Sequence, residues 1–418
     1  MKLLTDYVRS AIALGIIDEW HIWNFTRHPD DDEWVRALAP SVSRIPDDLL
    51  YYKLASCDQN QGGRLLFRAF VRTGNDAIFG VVPDYKQGSG PCFEIVIGGW
   101  GNHRCGIRRL SSRRELFQTE LERGAENNLI SEMETPGILS NGEYRLVEIE
   151  LTKRGLMVRV EGNEVCQIDG MFDGPSFDVF ARTGFGGDMD LRNVDGNPSR
   201  IALFHANRNI TPIYSNSYLY YGRRLDEYRH SVFLKSDDDI VYMDIKRLVD
   251  FIAFRVNQPY YFIVSANVVN NGVCAYYQQK FGKIPLDLME LELPPGGFCG
   301  QLWANPQWAE SLHRYFIRSL SSFSEYDVQS IDWNMRISIN FIAWLGEDLA
   351  YMCAEFRDDE QALSVSISSR LKRPNTIYMP FVVSHLTFYS QDPGFAHGPI
   401  LEDYRAVAER TLSRLSIT

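Results

Sequence analysis

The chain contains no run of about 18 apolar residues, so no segment reads as a membrane-spanning helix. It is short of positive charge: 43 Lys and Arg stand against 54 Asp and Glu, a formal net charge of −11. That balance argues against nucleic acid as a partner, because a phosphate backbone needs a cationic face, and against an anionic membrane surface. Cysteine is sparse, seven residues in 418, with no CxxC pair and an odd total. Reduced thiols and a cytoplasmic location are the simpler reading, and a structural zinc site is not expected. The opening residues, MKLLTDYVRSAIALGIIDEW, hold an apolar stretch. Asp6, Arg9 and the lack of a small-residue cleavage site argue against a secretory leader. There is no phosphate-cradling P-loop and no Ser/His/Asp or Cys/His nucleophile pattern. What the chain does have is a 45% hydrophobic and 13% aromatic content, ample for packed cores. Its length suggests two or three domains.

Three zones differ in texture. Residues 1–48 open with an amphipathic helix in which Leu4, Tyr7, Val8, Ala11 and Leu14 share a face, followed by Gly15 as a stop. An aromatic, β-branched strand, Glu19–Phe25, comes next, and then a short helix introduced by Pro29 and Asp30 to Asp32. Residues 49–194 carry short alternating runs such as Leu65–Thr73, Phe93–Ile97 and Tyr144–Leu151, with almost no helical signal. Glu161-Gly162-Asn163-Glu164 marks a tight turn between two of these runs. This zone reads as an all-β sandwich. Residues 195–418 alternate strands and helices: a short strand at Ser231–Leu234, a helix with Ile245, Leu248, Val249 and Ile252 inward, a buried strand at Tyr260–Ala266, another at Met379–Val383, and a closing helix from about Leu401. Excising 49–194 restores a continuous α/β pattern. The expected organisation is therefore one α/β domain, 1–48 with 195–418, split by an inserted guest, 49–194; insertion is tolerated where the host loop is exposed.

The feature with most chemical content is FLKSDDDIVYMD, Phe233 to Asp244. A strand ends in three carboxylates, and a helix starts just beyond. Hard divalent cations such as Mg²⁺ and Mn²⁺ take oxygen ligands of this kind, often together with substrate phosphates. The plain alternative is that Asp237 to Asp239 only cap a helix. Three adjacent like charges repel unless something compensates them, and Lys235 would do so in part. Asp348 and the cluster Asp358-Asp359-Glu360 are candidate general bases, a solvated acidic loop being the alternative for the cluster. Asn267, Asn270 and Asn271 follow a buried strand and would either bind sugar hydroxyls or simply end it. His21 reads as a core histidine.

These residues carry a resemblance. Ser231–Asp244 resembles the DxD metal-binding element of nucleotide-sugar-dependent glycosyltransferases of the GT-A fold. IIDEWHIWNFTRHPDDDEWV (Ile16–Val35), YYFIVSANVVNNG (Tyr260–Gly272), Ile339–Ser364 and FVVSHLTFYSQ (Phe381–Gln391) resemble further segments of bacterial, fungal and viral polysaccharide glycosyltransferases. The resemblance implies Mn²⁺ or Mg²⁺ held by Asp237, Asp239 and His385. Asp238, Asn24 and Thr26 would contact the donor, a nucleotide-diphosphate sugar. Asp359, with Asp348 as runner-up, would deprotonate a glycan or polysaccharide acceptor, and Asn267, Asn270, Asn271 and Trp344 would line the substrate site. Members of this fold usually begin with a strand and loop that hold the base and ribose, whereas this sequence begins at the following helix. A start downstream of the true one and an incomplete donor site are both compatible with that. The second would make the protein a non-catalytic carbohydrate- or protein-binding one.

FEIVIGGWGNHRCGIRR (Phe93–Arg109) and VFARTGFGGDMD (Val179–Asp190) resemble the farnesoic acid O-methyltransferase-type domain. Methyl transfer from S-adenosylmethionine normally needs a glycine-rich strand-to-helix turn. Here Gly98-Gly99-Trp100-Gly101 and Gly184-Phe185-Gly186-Gly187 sit between strands, so the guest reads as a lectin-like or protein-binding β-sandwich. Trp100, Asn102, His103, Arg108 and Arg109 are its candidate sugar contacts, with a core role the stronger alternative for Trp100.

Overall fold

The computed structural model describes the chain except residues 27, 40, 41, 59–63, 86–89, 118–127, 171–173, 194–199, 298 and 414–418. It forms two compact units, Met1–Asp18 with Tyr214–Thr418, and Glu19–Ile213.

The unit Glu19–Ile213 is built from two sheets. One runs in the order Tyr52–Asp58, Ser176–Arg182, Ala77–Pro83, Cys92–Gly98, Arg104–Leu110 and Leu129–Glu134. The other contains Arg64–Arg72, Arg145–Thr152, Gly155–Val160 and Asn163–Asp169 in adjacent places. Alternation decides what faces inward: Leu65, Phe67, Ala69 and Val71 are buried along one strand, and Val147, Ile149 and Leu151 along its antiparallel neighbour. They meet Phe79, Ile95, Ile107 and Val179 of the facing sheet in one core. The intervening residues point outward and pair across strands, as in Arg64 with Glu150 at 2.7 Å and Arg68 with Glu148 at 2.9 Å. The expected tight turn is present: Glu161 (φ 52°) and Gly162 (φ 77°) are both left-handed, the geometry that joins two twisted strands through two residues.

Four further strands extend the second sheet. Trp20–Asn24 lies parallel to Ile201–His205, which lies parallel to Val42–Ile45; the last pairs antiparallel with Met189–Asn193. The units therefore divide at 18/19 and 213/214, whereas the sequence texture placed the divisions at 48/49 and 194/195, the latter outside the described residues. The difference lies in hydrogen bonding: Val42–Ile45 pairs with the outer edge of Met189–Asn193 and so joins the sandwich sheet.

The other unit has a mixed sheet ordered Val232–Ser236, Phe341–Leu345, Val264–Val269, Asn375–His385 and Ile240–Met243, with Ser330–Trp333 paired to Asn375–His385. Helix Lys2–Ala13 packs on Ile240–Met243 and on helix His397–Ser413. Helix Ile245–Asn257 buries Ile245, Leu248, Phe251, Phe254 and Arg255, while Val249 is 50% exposed. The expected inward face is thus rotated. The large rings set it: Phe251 stacks on Phe381 at 4.6 Å, and burying them removes more apolar area than burying Val249 would.

Under the end of strand Asn375–His385, His313 is fully buried, with Nδ1 2.7 Å from the Tyr404 hydroxyl and Nε2 2.8 Å from the Leu386 carbonyl. A neutral ring protonated at Nε2 satisfies both partners. Burial pushes its pKa down to about 4. The unfolded histidine, near 6.5, therefore takes up a proton first. Stability is expected to fall as pH drops from about 6.5 toward about 4, at up to about 1.4 kcal/mol per pH unit from this residue. His205 in the other unit, pushed down to about 3 by burial, acts in the same direction. Urea unfolding at pH 7, 6 and 5 checks this, with His313→Gln expected to remove one proton's worth of slope; a flat profile would contradict it.

Candidate functional site

Strand Val232–Ser236 and strand Ile240–Met243 lie at opposite ends of the sheet order, so Asp237, Asp238 and Asp239 cross the end of the sheet between them. Two backbone bonds pin the crossing: the Asp237 amide donates to the Asn340 carbonyl at 2.9 Å, and the Leu386 amide donates to the Asp239 carbonyl at 3.1 Å. The register that sets Ile240 opposite His385 brings that imidazole to the carboxylates. One ligand atom each from Asp237, Asp239 and His385 lies within 4.8 Å of the others. His385 Nε2 is 3.1 Å from Asp239 Oδ1 and 3.9 Å from Asp237 Oδ2. Asp237 also accepts from Asn340 Nδ2 at 2.9 Å and from the Lys235 ammonium, which in turn donates to the Ile339 carbonyl at 2.7 Å.

Electrostatics follow from this packing. Burial alone would raise the pKa of Asp239, but the charge and hydrogen bond of His385 hold it below the ordinary carboxylate range. Burial alone would lower that of His385, and the facing Asp239 and Asp237 outweigh it, so the imidazole is raised above its ordinary value. The donor set, two carboxylates and an imidazole, is one that Mn²⁺ accepts readily. His385 Nδ1 is buried with no hydrogen-bond partner, and the ring packs against Phe388 with centroids 4.4 Å apart. The three side chains therefore fit a divalent cation, and Lys235 balances part of the Asp237 charge.

Of the other residues singled out from the sequence, Asp359 is half-buried and accepts a hydrogen bond from the Tyr218 hydroxyl at 3.1 Å. Burial raises the pKa of that hydroxyl, and the charges of Asp359 and, more weakly, Asp237 add to the rise. Tyr218 and Asn340 are the neighbours that motif reading did not supply. Lys235 was visible as a compensating charge; nothing in the sequence marks Asn340 or Tyr218. Asp238 is exposed and stands outside the cluster.

Several expectations are corrected. Asp348 is 1% exposed and locked to Arg373, whose Nη2 lies 3.1 Å from Oδ2, with Arg255 at 3.8 Å; it is a buried ion-pair partner. Asn267, Asn270 and Asn271 are buried and use their amides inside the fold. Asn267 bonds the Met379 carbonyl and Gln278; Asn270 bonds the Leu386 carbonyl and Gln391; Asn271 caps helix Gly272–Lys280 and reaches Asn340 at 3.3 Å. They shape the sheet end instead of meeting a substrate. Trp344 is 4% exposed and stacked on Phe233 at 5.5 Å, a core ring. Asn24 and Thr26 belong to the unit Glu19–Ile213. There Asn24 is buried and donates to Asp32 at 2.6 Å, and the Thr26 amide donates to Asn24 Oδ1 at 3.1 Å.

In the sandwich, Arg108 is also buried, donating to the fully buried Glu94. Trp100 is half-buried beneath the guanidinium groups of Arg104 (5.6 Å) and Arg108 (5.9 Å). The Asn102 side chain clamps the backbone of Leu139, Nδ2 donating to the Leu139 carbonyl at 2.9 Å and Oδ1 accepting from the Leu139 amide at 3.1 Å. His103 and Arg109 are exposed. Gly98, Trp100, Gly101 and Asn102 all have positive φ, so this glycine-rich stretch is a sharp turn between strands with no cofactor-cradling helix after it.

Residues 46–167, less than half of the chain, match the family described as farnesoic acid 0-methyl transferase. No curated protein matches the chain. Similar solved structures include an endo-β-1,3(4)-glucanase of family GH16, at 12% identity over 33% of this chain and 57% of that one, with a TM-score of 0.23. A carbohydrate-binding module, CBM66 from Bacillus subtilis, matches at 9% identity over 37% of this chain and 95% of that one, TM-score 0.22. Sheep galectin-11 matches at 12% identity over 37% and 96%, TM-score 0.21. The chain spans 57–60% of the length of the first glucanase structures it matches. Scores this low carry no functional information. No helix among the described residues is long and apolar enough to cross a membrane.

Proposed function

We propose that the protein acts on carbohydrate as a divalent-cation-dependent glycosyltransferase, moving a sugar from a nucleotide-diphosphate donor to a glycan or polysaccharide. The supporting observation is the convergence of Asp237, Asp239 and His385, drawn from two distant segments, within 4.8 Å. These three would hold Mn²⁺ or Mg²⁺, which when bound supplies positive charge opposite a departing diphosphate. Asn340 and Lys235 orient the Asp237 carboxylate. Asp359, half-exposed and steered by the Tyr218 hydroxyl, takes the proton from the acceptor hydroxyl. The β-sandwich adds a glycan-binding surface.

A second reading, a non-catalytic carbohydrate- or protein-binding protein, is favoured by one specific observation. Asp348, Trp344 and the three asparagines all serve the fold, which leaves Asp359 as the one half-exposed acid of those proposed for catalysis.

Titration of the whole chain with Mn²⁺ and Mg²⁺, each with a panel of nucleotide-sugars, tests both. Asp237→Ala and Asp239→Ala are each expected to weaken cation-dependent nucleotide binding at least about 100-fold, since even groups that only support a ligand are worth 10–100-fold. Unchanged binding in both variants would remove the site. Cation binding with no sugar release from any donor, together with glycan capture by the whole chain, would select the second reading.

A further inference from the structure

The unit Glu19–Ile213 contains a cavity of about 300 Å³, remote in sequence from the acidic crossing. It lies past the carboxyl ends of the parallel strands Trp20–Asn24 and Ile201–His205, where Arg208 follows the second strand; ligands of α/β sheets collect at such ends. Arg36, Arg182 and Arg208 line it, against one carboxylate, Asp32. That is an excess of positive charge in a chain whose net charge is −11.

The three arginines are placed differently. Arg36 is paired through Nε to Asp32 at 2.8 Å, and its Nη1 is buried with no hydrogen-bond partner. Arg182 is 4% exposed; its Nη2 donates to the buried Glu94 at 2.7 Å, while its Nε has no partner. Arg208 is exposed, makes one long bond of 3.5 Å to the Thr26 carbonyl, and has no ion pair among the described residues. Their field is felt nearby: after burial itself, Arg36 and, more weakly, Arg208 help push His205 down to about 3. Two rings complete the wall. Tyr51 is fixed by donating to Glu94 at 2.7 Å, and Phe117, 40% exposed, meets it edge-on at 5.8 Å. Unspent guanidinium donors beside a rigid aromatic wall suit an oxyanion attached to a ring. The volume sits at the low end of the range for ligand sites, the size of a single sugar ring.

We propose that this cavity binds a small acidic saccharide, its carboxylate or phosphate held by Arg208 and Arg36 and its ring laid against Tyr51 and Phe117. The site is independent of the cation crossing, so Asp237→Ala leaves it intact, and failure of either proposal is read separately. The test is calorimetric titration of the whole chain at low ionic strength with glucuronate, glucose 6-phosphate, glucose and inorganic phosphate. Glucuronate or glucose 6-phosphate is expected to bind at least tenfold more tightly than glucose or phosphate, and the preference between the first two identifies the oxyanion. Arg208→Gln, an exposed change that should leave the unfolding midpoint unchanged, is expected to lower that affinity at least tenfold. Phe117→Ala should lower it severalfold without altering its salt dependence. Equal binding of glucose, equal binding of inorganic phosphate, no binding of either acidic sugar, or unchanged affinity in Arg208→Gln would each overturn the proposal.

Discussion

Glu94→Gln is expected to destabilise the unit Glu19–Ile213 by about 3–5 kcal/mol, the cost of removing one partner from a buried ion pair. For a unit of this size that corresponds to a fall of about 6–20 °C in its unfolding midpoint. Glu94 is fully buried and collects three donors: Arg108 Nη1 at 2.5 Å, Arg182 Nη2 at 2.7 Å and the Tyr51 hydroxyl at 2.7 Å. Both arginines are themselves buried. Glutamine keeps the shape and removes the negative charge that Arg108 and Arg182 share. Differential scanning calorimetry of the whole chain reads the effect; a loss below about 1 kcal/mol would mean that water reaches the cluster.

Asp348→Asn is expected to cost the other unit a similar amount, about 3–5 kcal/mol, and to leave nucleotide binding per folded molecule unchanged. Arg255 is fully buried, with Nε and Nη2 lacking hydrogen bonds, and burial already brings its pKa down to about 10. The Asp348 carboxylate is the charge that keeps it tolerable there, at 3.8 Å, while also holding Arg373. Asp359→Ala makes the contrast. It removes two hydrogen bonds, from the Tyr218 hydroxyl and the Glu360 amide, to a half-buried carboxylate, so about 1–2 kcal/mol of stability is expected, with loss of turnover wherever a donor supports it. Unfolding curves and activity measured on both variants separate the roles; a turnover defect in Asp348→Asn larger than its unfolded fraction would restore Asp348 as a catalytic group.

Legibility varied with the kind of signal. The sandwich strands around Leu65, Phe79, Ile95, Ile149 and Val158 were readable because one-sided burial imposes a period of two on the residues themselves. Tyr52–Asp58 (YKLASCD) and Leu129–Glu134 (LISEME), the two edges of one sheet, were not, because edge strands carry polar and exposed residues that blunt the alternation. The acidic crossing and its histidine were readable as a motif. The asparagines after Val264–Val269 were not separable from a sugar site, since an amide that satisfies a buried carbonyl and one that meets a hydroxyl look identical in sequence.

The order of residues by itself determined the two textures, the tight turn at Glu161-Gly162, the inward rows of the sandwich and the clustering of Asp237 to Asp239, all of which depend on neighbours along the chain. Tertiary structure alone decided that Trp20–Asn24, Val42–Ile45 and Ile201–His205 extend the sandwich sheet, because strand pairing is settled by which distant edge is free. It alone decided that Asp348 is spent on Arg255 and Arg373, and that Glu94 gathers Arg108, Arg182 and Tyr51. A charge buried in low dielectric must find a partner wherever the fold brings one, and local sequence carries no record of that choice.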